Sequence, residues 1–189
     1  DRARDGGSFT TRSVVAIQHG KQILNLSASF HVEEEGWDYQ HDMPAVKGPE
    51  HWLDRPDLRE PYIDRIPEKH RADFVRERPI EIREVEPRDL FNPEKASDRN
   101  YLWFRMEAAQ GLTWFQRGVM SASLDHAMWF HAPIDFSDWH LYDLDAPFTG
   151  GARGFNRGLI YTQSGKLVAS VAQEGLMRPY KPKGDSNDG

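Results

Sequence analysis

The chain has 189 residues, a mass of 21.8 kDa, a net charge of −6 and no cysteine. The acidic balance argues against a general nucleic-acid binder, and the missing thiols exclude a cysteine nucleophile, disulfides and thiolate metal sites. No apolar run approaches the roughly 20 residues of a membrane span, so we expect no membrane association. The absence of cysteine suits a reducing compartment, and we expect a cytoplasmic location. The start at Asp1, without Met or a signal-peptide pattern, suggests a chain that begins partway through a protein.

Two segments, Gly6–Ser27 and Gly151–Ala172, match each other without a gap. Each copy has the pattern of a strand, a tight turn and a second strand. Gly20 and Gly165 occupy the two turns, where a hairpin favours positive φ. A shared turn position between matching strands indicates duplication. The sequence therefore predicts one hairpin over residues 1–32 and an equivalent hairpin near the other end.

The segment 33–78 is crowded with charge and proline and predicts a linker with short helices. Its best helix candidate follows Pro67, because proline suits a first helical turn, and runs from Glu68 to Val75.

Strand patterns return after Pro79. Ile80–Ile82 and Tyr101–Met106 alternate apolar and polar residues, with Leu102 and Phe104 on one face. Together they predict about six antiparallel strands in a second unit, 79–178, followed by a disordered tail, 179–189. The remaining strand candidates are Val119–Phe130, Trp139–Asp145, Arg153–Tyr161 and Leu167–Met177.

An open sheet with one apolar face needs a covering layer. No segment has the pattern of an amphipathic helix of about 12 residues or more, and Ala109–Gly118 is too short to supply one. The sequence therefore predicts a sheet without its covering helix. Either the chain is joined across absent residues near Gln110–Gly111, or the helix is truly deleted. The missing cover favours the first, so we expect Gln110 and Gly111 not to share a peptide bond.

The block Ser121–His131, with the sequence SASLDHAMWFH, resembles the acyl-CoA thioesterase II family. The resemblance extends from about Arg4 to Arg178. Shorter matches are Val15–Gln18, Ser27–Phe30, Ala152–Phe155 and Gln173–Arg178.

This resemblance implies an α+β double hotdog fold, in which two antiparallel sheets each wrap a central helix. Residues 1–32 would close the first unit, whose start is missing here, and 79–178 would form the second, without its central helix. The family implies hydrolysis of acyl-CoA thioesters to free fatty acid and CoA, with no metal and no cofactor, by a homodimer or tetramer.

The family site is a carboxylate, a hydroxyl residue and a glutamine that together orient a water. Ser123 matches the hydroxyl position and Gln173 the glutamine position. The Asp is expected on the central helix and is not present in this sequence. Because a thiolate leaves readily, the reaction needs an oriented water, a base and a polarised carbonyl rather than a strong acid.

The residue pattern alone leaves the role of Gln173 open. Gln173 shares a predicted strand face with Leu167, Ala169 and Val171, and a buried amide needs a hydrogen-bond partner whether it is structural or catalytic. In the duplication it aligns with Ala28, so the amide is specific to the second copy.

Ser123 shares its face with Asp125, a pattern that is also typical of a solvated surface. Asp125 and His126 point to opposite faces of a strand, which favours pairing or capping at the strand end over a catalytic dyad. The five-residue spacing of His126 and His131 likewise splits them between faces. We therefore expect no metal.

Arg153 and Arg157 are candidates for contacts to CoA phosphates, although surface arginines are common. Two alternatives to the thioesterase remain. One is a non-catalytic acyl-CoA-binding hotdog module that lost its Asp. The other is a hotdog enoyl-CoA hydratase, whose Asp and His lie five apart on a helical turn, whereas Asp125 and His131 are six apart on a predicted strand.

Overall fold

The chain divides between Tyr39 and Gln40 into two units, Asp1–Tyr39 and Gln40–Gly189. The structure, a computed structural model, describes residues 2–76, 80–87, 97–106 and 119–179. Each unit contains an antiparallel sheet of its own.

The first unit is a three-stranded sheet in the order β1-β2-β3. The turn between β2 and β3 consists of His19 and Gly20, whose φ angles are both positive, 50° and 73°. A two-residue hairpin turn of the mirror-image type requires this geometry. The predicted hairpin is confirmed. The strands of this sheet are β1 (Arg2–Asp5), β2 (Phe9–Gln18) and β3 (Lys21–His31). β1 pairs with β2 outside the hairpin and was not predicted.

The second unit is a seven-stranded sheet. Strands follow one another in the order β4-β5-β8-β9-β10, and two short strands, β6 and β7, both pair with the outer side of β10. The strands are β4 (Ile80–Val85), β5 (Arg99–Met106), β6 (Val119–Ser123), β7 (Ala127–Phe130), β8 (His140–Gly150), β9 (Arg153–Thr162) and β10 (Leu167–Pro179).

The predicted strand regions are confirmed with two corrections. The single strand predicted over Val119–Phe130 is wrong, because β6 ends at Ser123 and β7 begins only at Ala127. The physical cause is an extra residue on this edge, described below. Pro179, assigned to the tail, is the last residue of β10, and the rest of the tail lies outside the described residues.

The two hairpin turns differ, contrary to the shared turn position predicted from the repeat. In the second hairpin, Thr162 O accepts from Gly165 N at 3.0 Å and Thr162 N donates to Lys166 O at 2.9 Å. Gly165 has the only positive φ of this turn, 91°. Gln163 therefore belongs to a three-residue turn, whereas its counterpart Gln18 ends a strand.

In both hairpins the pairing between the two strands skips one residue, at equivalent positions of the repeat. The pairing of β3 with β2 skips Ile23, and that of β10 with β9 skips its counterpart in the repeat, Val168. The shared bulge supports duplication. Because side chains alternate along a strand, the skipped residue puts Leu167 on the opposite face from Ala169. The prediction that Leu167 shares a face with Gln173 is therefore wrong.

Buried side chains lie on both faces of the second sheet. Trp103, Leu141 and Tyr161 pair directly across β5, β8 and β9, and we call their side the Trp103 face. The opposite side carries a buried cluster that includes Ala169. Gln173 is four residues further along the same strand and therefore lies on the same side, which we call the Gln173 face.

A segment that precedes β4 covers the Trp103 face. Met43 and Trp52 pack against its buried cluster, and Trp103 Nε1 donates a hydrogen bond to the carbonyl oxygen of Lys47 at 2.9 Å. This part of the segment 33–78 is packed on the sheet, where the sequence pattern predicted a linker.

The short helices predicted in this segment are present. They are the α-helices α1 (Arg55–Arg59) and α2 (Glu68–Phe74) and the 3₁₀ turns Pro49–His51 and Glu60–Arg65. In the described part of the chain the longest helix is α2, with seven residues, and no helix there could cross a membrane. The predicted break at Gln110–Gly111 and the covering helix lie outside the described residues.

Gly158 in β9 leaves no room for a larger side chain. A Cβ atom there would overlap the Tyr142 ring, so we expect Gly158→Ala to lower the free energy of unfolding by about 1–3 kcal/mol, the usual cost of overpacking. Urea unfolding measures this change. The matched control is Gly175→Ala in the neighbouring strand, where the nearest atom to the new Cβ is the oxygen of Ala122 at 3.6 Å, an ordinary contact. Equal stability of both variants would contradict the prediction.

Candidate active site at the interrupted sheet edge

Gln173 and Ser123 are far apart in sequence and in contact in the structure. Gln173 Nε2 donates a hydrogen bond to Ser123 Oγ at 2.6 Å. The Ser123 hydroxyl donates in turn to the carbonyl oxygen of Asp125 at 3.3 Å. The two residues predicted from the resemblance to orient a water are thus neighbours on the Gln173 face, at the edge of the sheet.

β10 positions Gln173 between two strands. Asn156 of β9 lies opposite Gln173 on one side, and β6 ends at Ser123 on the other. Ala169 and Val171, which precede Gln173 on the same face, are both buried. Gln173 is half-buried and therefore lies where an apolar row of side chains reaches the open edge.

The hydrogen bonds leave part of each side chain available. A glutamine has two N–H donors and a carbonyl oxygen, and Gln173 uses one N–H within the described ranges. The Ser123 hydroxyl has donated its proton and accepted one bond, which leaves a lone pair. Together the pair offers an N–H, an amide oxygen and a hydroxyl oxygen, which can orient a water and polarise a carbonyl.

Asp125 has the pairing role at the strand end that the sequence pattern favoured. Its Oδ1 accepts a hydrogen bond from the backbone N–H of Glu174 at 2.7 Å. His131 Nε2 lies 2.8 Å from Ser170 Oγ, a residue of the Trp103 face. In the ranges that the structure describes, no three His, Asp or Glu side chains are grouped closely enough to hold a metal ion.

Arg153 and Arg157 lie on the Trp103 face, on the other side of the sheet from Gln173. Arg153 Nη1 is 3.1 Å from Glu174 Oε1. Arg157 donates to both carboxylate oxygens of Asp145, and this hydrogen bonding lowers the pKa of Asp145. Both guanidinium groups are paired with carboxylates, and the sheet separates them from the Ser123–Gln173 pair.

Sequence reasoning missed a groove of about 780 Å³ along the Trp103 face. Asp143, 5% exposed, lines this groove and accepts hydrogen bonds from Arg99 Nε and Nη2 at 2.9 and 2.6 Å. These bonds raise the pKa of Arg99. Asp143 and Asp145 lie two residues apart in β8, near apolar Leu141 and Leu144. These acidic residues within a strand were the signal in the sequence that could have indicated the groove. The groove is also lined by His41, Asp98, Trp129 and Ser170.

Comparison with solved structures identifies the class of fold. The chain superposes on the acyl-CoA thioesterase II TesB2 from Mycobacterium marinum with a TM-score of 0.71 and 32% identity, over 96% of this chain and 73% of that one. A hot dog fold protein of unknown function from Alicyclobacillus acidocaldarius, 17% identical, gives a TM-score of 0.72 over 96% and 72% of the two chains. The chain has the hotdog fold, which confirms the fold class implied by the resemblance.

Sequence comparison then gives the family. The profile described as "Acyl-CoA thioesterase" matches residues 68–176, which include Ser123 and Gln173. Acyl-CoA thioesterase 2 of Haemophilus influenzae is 32% identical over 202 residues, covering 93% of this chain and 71% of the relative. Human acyl-coenzyme A thioesterase 8 is 32% identical over 216 residues, covering 97% and 67%. The chain belongs to the acyl-CoA thioesterase family.

The relatives also contain internal residues that this chain lacks. The match to the human protein spans 216 residues, 27 more than the 189 residues of this chain. At least 27 residues of the matched region therefore have no counterpart here.

Replacing Arg157 tests whether this arginine serves the fold or a ligand. The pKa of Asp145 is lowered in the folded chain, so the pair stabilises the fold above the ordinary carboxyl pKa of about 3.9 and loses that effect as the pH falls through the folded value. We expect Arg157→Gln to raise the pKa of Asp145, measured by carbon-13 NMR titration.

The unfolding free energy of this variant should fall below that of the wild type at neutral pH and converge with it in acid. The control for the lost charge is Lys166→Gln, at an exposed position beside the turn, which should leave the pKa of Asp145 unchanged. An unchanged pKa of Asp145 in Arg157→Gln, together with a raised KM for acyl-CoA, would instead identify Arg157 as a CoA contact.

Proposed function

We propose that this chain hydrolyses acyl-CoA thioesters to free fatty acid and CoA, and that Gln173 and Ser123 orient the attacking water. The observation that carries the proposal is the 2.6 Å hydrogen bond between these two side chains, which lie on separate strands and which the resemblance assigns to the family's glutamine and hydroxyl positions. This contact brings both side chains within reach of one water, which positions it for attack.

Each side chain has a defined part in the reaction. The amide oxygen of Gln173 and the Ser123 oxygen accept a shared hydrogen bond from one O–H of the attacking water, which leaves the second O–H for the base. The remaining amide N–H of Gln173 donates to the thioester oxygen, where negative charge develops as the water attacks. The intermediate then expels the CoA thiolate, which leaves readily and needs no strong acid.

The proton of the water must pass to a base. Within the described part of the chain, the carboxylate residue in contact with Ser123 is Asp125, but the contact is made by its carbonyl oxygen, and its Oδ1 is bound to Glu174 N–H. The Asp of the family is expected on the central helix, and we propose that this helix is among the internal residues present only in the relatives. Since a general base contributes about 10²–10⁴-fold, we expect this chain to turn over acyl-CoA slower than the longer relatives by that factor.

Gln173→Ala should lower kcat by roughly 10²–10³, or about 2.7–4 kcal/mol, because it removes a preorganised donor and acceptor. Gln173→Glu should also lower kcat, since the added negative charge opposes the charge that develops on the thioester oxygen. Release of the CoA thiol measures turnover directly, because the chain itself contains no cysteine. The matched control is Gln163→Ala, at an exposed position in the turn of the same hairpin, which should retain full activity.

The same variants separate the alternatives. If Gln173 were structural, Gln173→Ala would lower the melting temperature and leave kcat per folded molecule unchanged. That result would overturn the catalytic assignment. Binding of acyl-CoA without any thiol release by the wild type would favour the non-catalytic binding module. Hydration of an enoyl-CoA without thiol release would favour the hydratase. The cytoplasmic location and the homodimer or tetramer stay predictions from the sequence.

A further inference from the structure

The sheet edge beside Gln173 contains one residue too many. Ser123 pairs with Gly175 and Ala127 pairs with Ala172. Three residues, 124–126, therefore lie between the two pairs on the edge, against two residues, 173–174, on β10. A mismatch of two against one, or three against two, is the signature of a β-bulge, which interrupts a ladder and redirects side chains.

The bulge is held by both backbone groups of Glu174. Its carbonyl oxygen accepts from Leu124 N at 3.0 Å and from Asp125 N at 3.4 Å. Its N–H donates to Asp125 Oδ1 at 2.7 Å. The carboxylate of Asp125 thus replaces the backbone carbonyl that an uninterrupted strand would offer, and a charged acceptor makes this bond stronger than the one it replaces.

Asp125 also determines what faces Gln173. If the pairing of Ser123 with Gly175 continued without the bulge, Asp125 would lie directly opposite Gln173, on the same face. Its carboxylate would then compete with Ser123 for the Gln173 N–H. Because the carboxylate instead binds Glu174 N–H, the Gln173 amide donates to Ser123. The carbonyl oxygen of Asp125 accepts the Ser123 proton and so fixes the hydroxyl as an acceptor.

We propose that Asp125 is a positioning residue for the Ser123–Gln173 pair: its side chain maintains the bulge and its carbonyl orients the hydroxyl. It does not act as the base. The kinetic consequence rests on the proposed thioesterase function, whereas the effect on the Gln173 amide is independent of it.

The test uses three variants of the full chain. Asp125→Asn keeps an acceptor oxygen in the same place, Asp125→Ala removes it, and Asp125→Glu keeps the charge but moves the carboxylate by one methylene. The readout is the nitrogen-15 resonance of the Gln173 side-chain amide, with Ser123→Ala as the reference for its unbonded state, and the hydrogen-exchange rate of the Glu174 amide. Asp138→Ala, an exposed aspartate ahead of β8, is the control.

In Asp125→Ala and Asp125→Glu we expect the Gln173 resonance to move to its position in Ser123→Ala, with faster exchange at Glu174. The kcat for acyl-CoA should fall roughly 10- to 100-fold, as for a misplaced catalytic group, with KM little changed. Asp125→Asn should keep the wild-type resonance and most of kcat. If Asp125→Ala fails to fold, Asp125→Glu gives the same test.

A wild-type Gln173 resonance in Asp125→Ala or Asp125→Glu would overturn the proposal. So would a displaced resonance in Asp125→Asn, because the retained acceptor would then be irrelevant. Absence of thioester turnover in the wild type would overturn the proposed function but would leave the resonance and exchange measurements as a complete test of the positioning role.

Discussion

The arrangement of the site depends on satisfying the backbone of one residue in β10, Glu174. Gln173 and Glu174 lie in register with β9 on one side, while on the other side they face two strands whose pairing is out of step by one residue. A backbone N–H at a sheet edge that lost its acceptor would cost free energy. The Asp125 carboxylate meets that requirement, and the contact between Gln173 and Ser123 is possible because it does.

Much of the fold follows from alternation and turn glycines. Tyr101–Met106 alternates clearly and is a strand, and Gly20 and Gly165 have the positive φ that their turns need. The interruption between Ser123 and Ala127 could not be predicted, because the residues on both sides keep a pattern compatible with one continuous strand.

The side-chain faces of β10 show a second limit of pattern reasoning. Leu167, Val168 and Ala169 are all apolar, so nothing in the sequence marks Val168 as the residue that the pairing skips. The alternation of apolar and polar residues likewise could not predict the contact of Ser123 with Gln173. This contact was expected from the family resemblance, which names both positions, whereas the residue pattern alone placed Ser123 on a solvated face.

The two hairpins of the repeat differ in a way that bears on how duplicated copies diverge. Ala28 is paired with Arg12, but its counterpart Gln173 is paired with Asn156, which corresponds to Thr11. The copies align without insertion or deletion. Gln163 lies in the turn whereas Gln18 ends a strand, and the register of β9 on β10 differs by one place from that of β2 on β3. Because a slide of one place turns a strand over, substitutions confined to a turn can exchange the whole set of side chains beside an equivalent position. One copy of a gene segment can in this way gain a new chemical neighbourhood while the strand that bears the key residue keeps its own sequence.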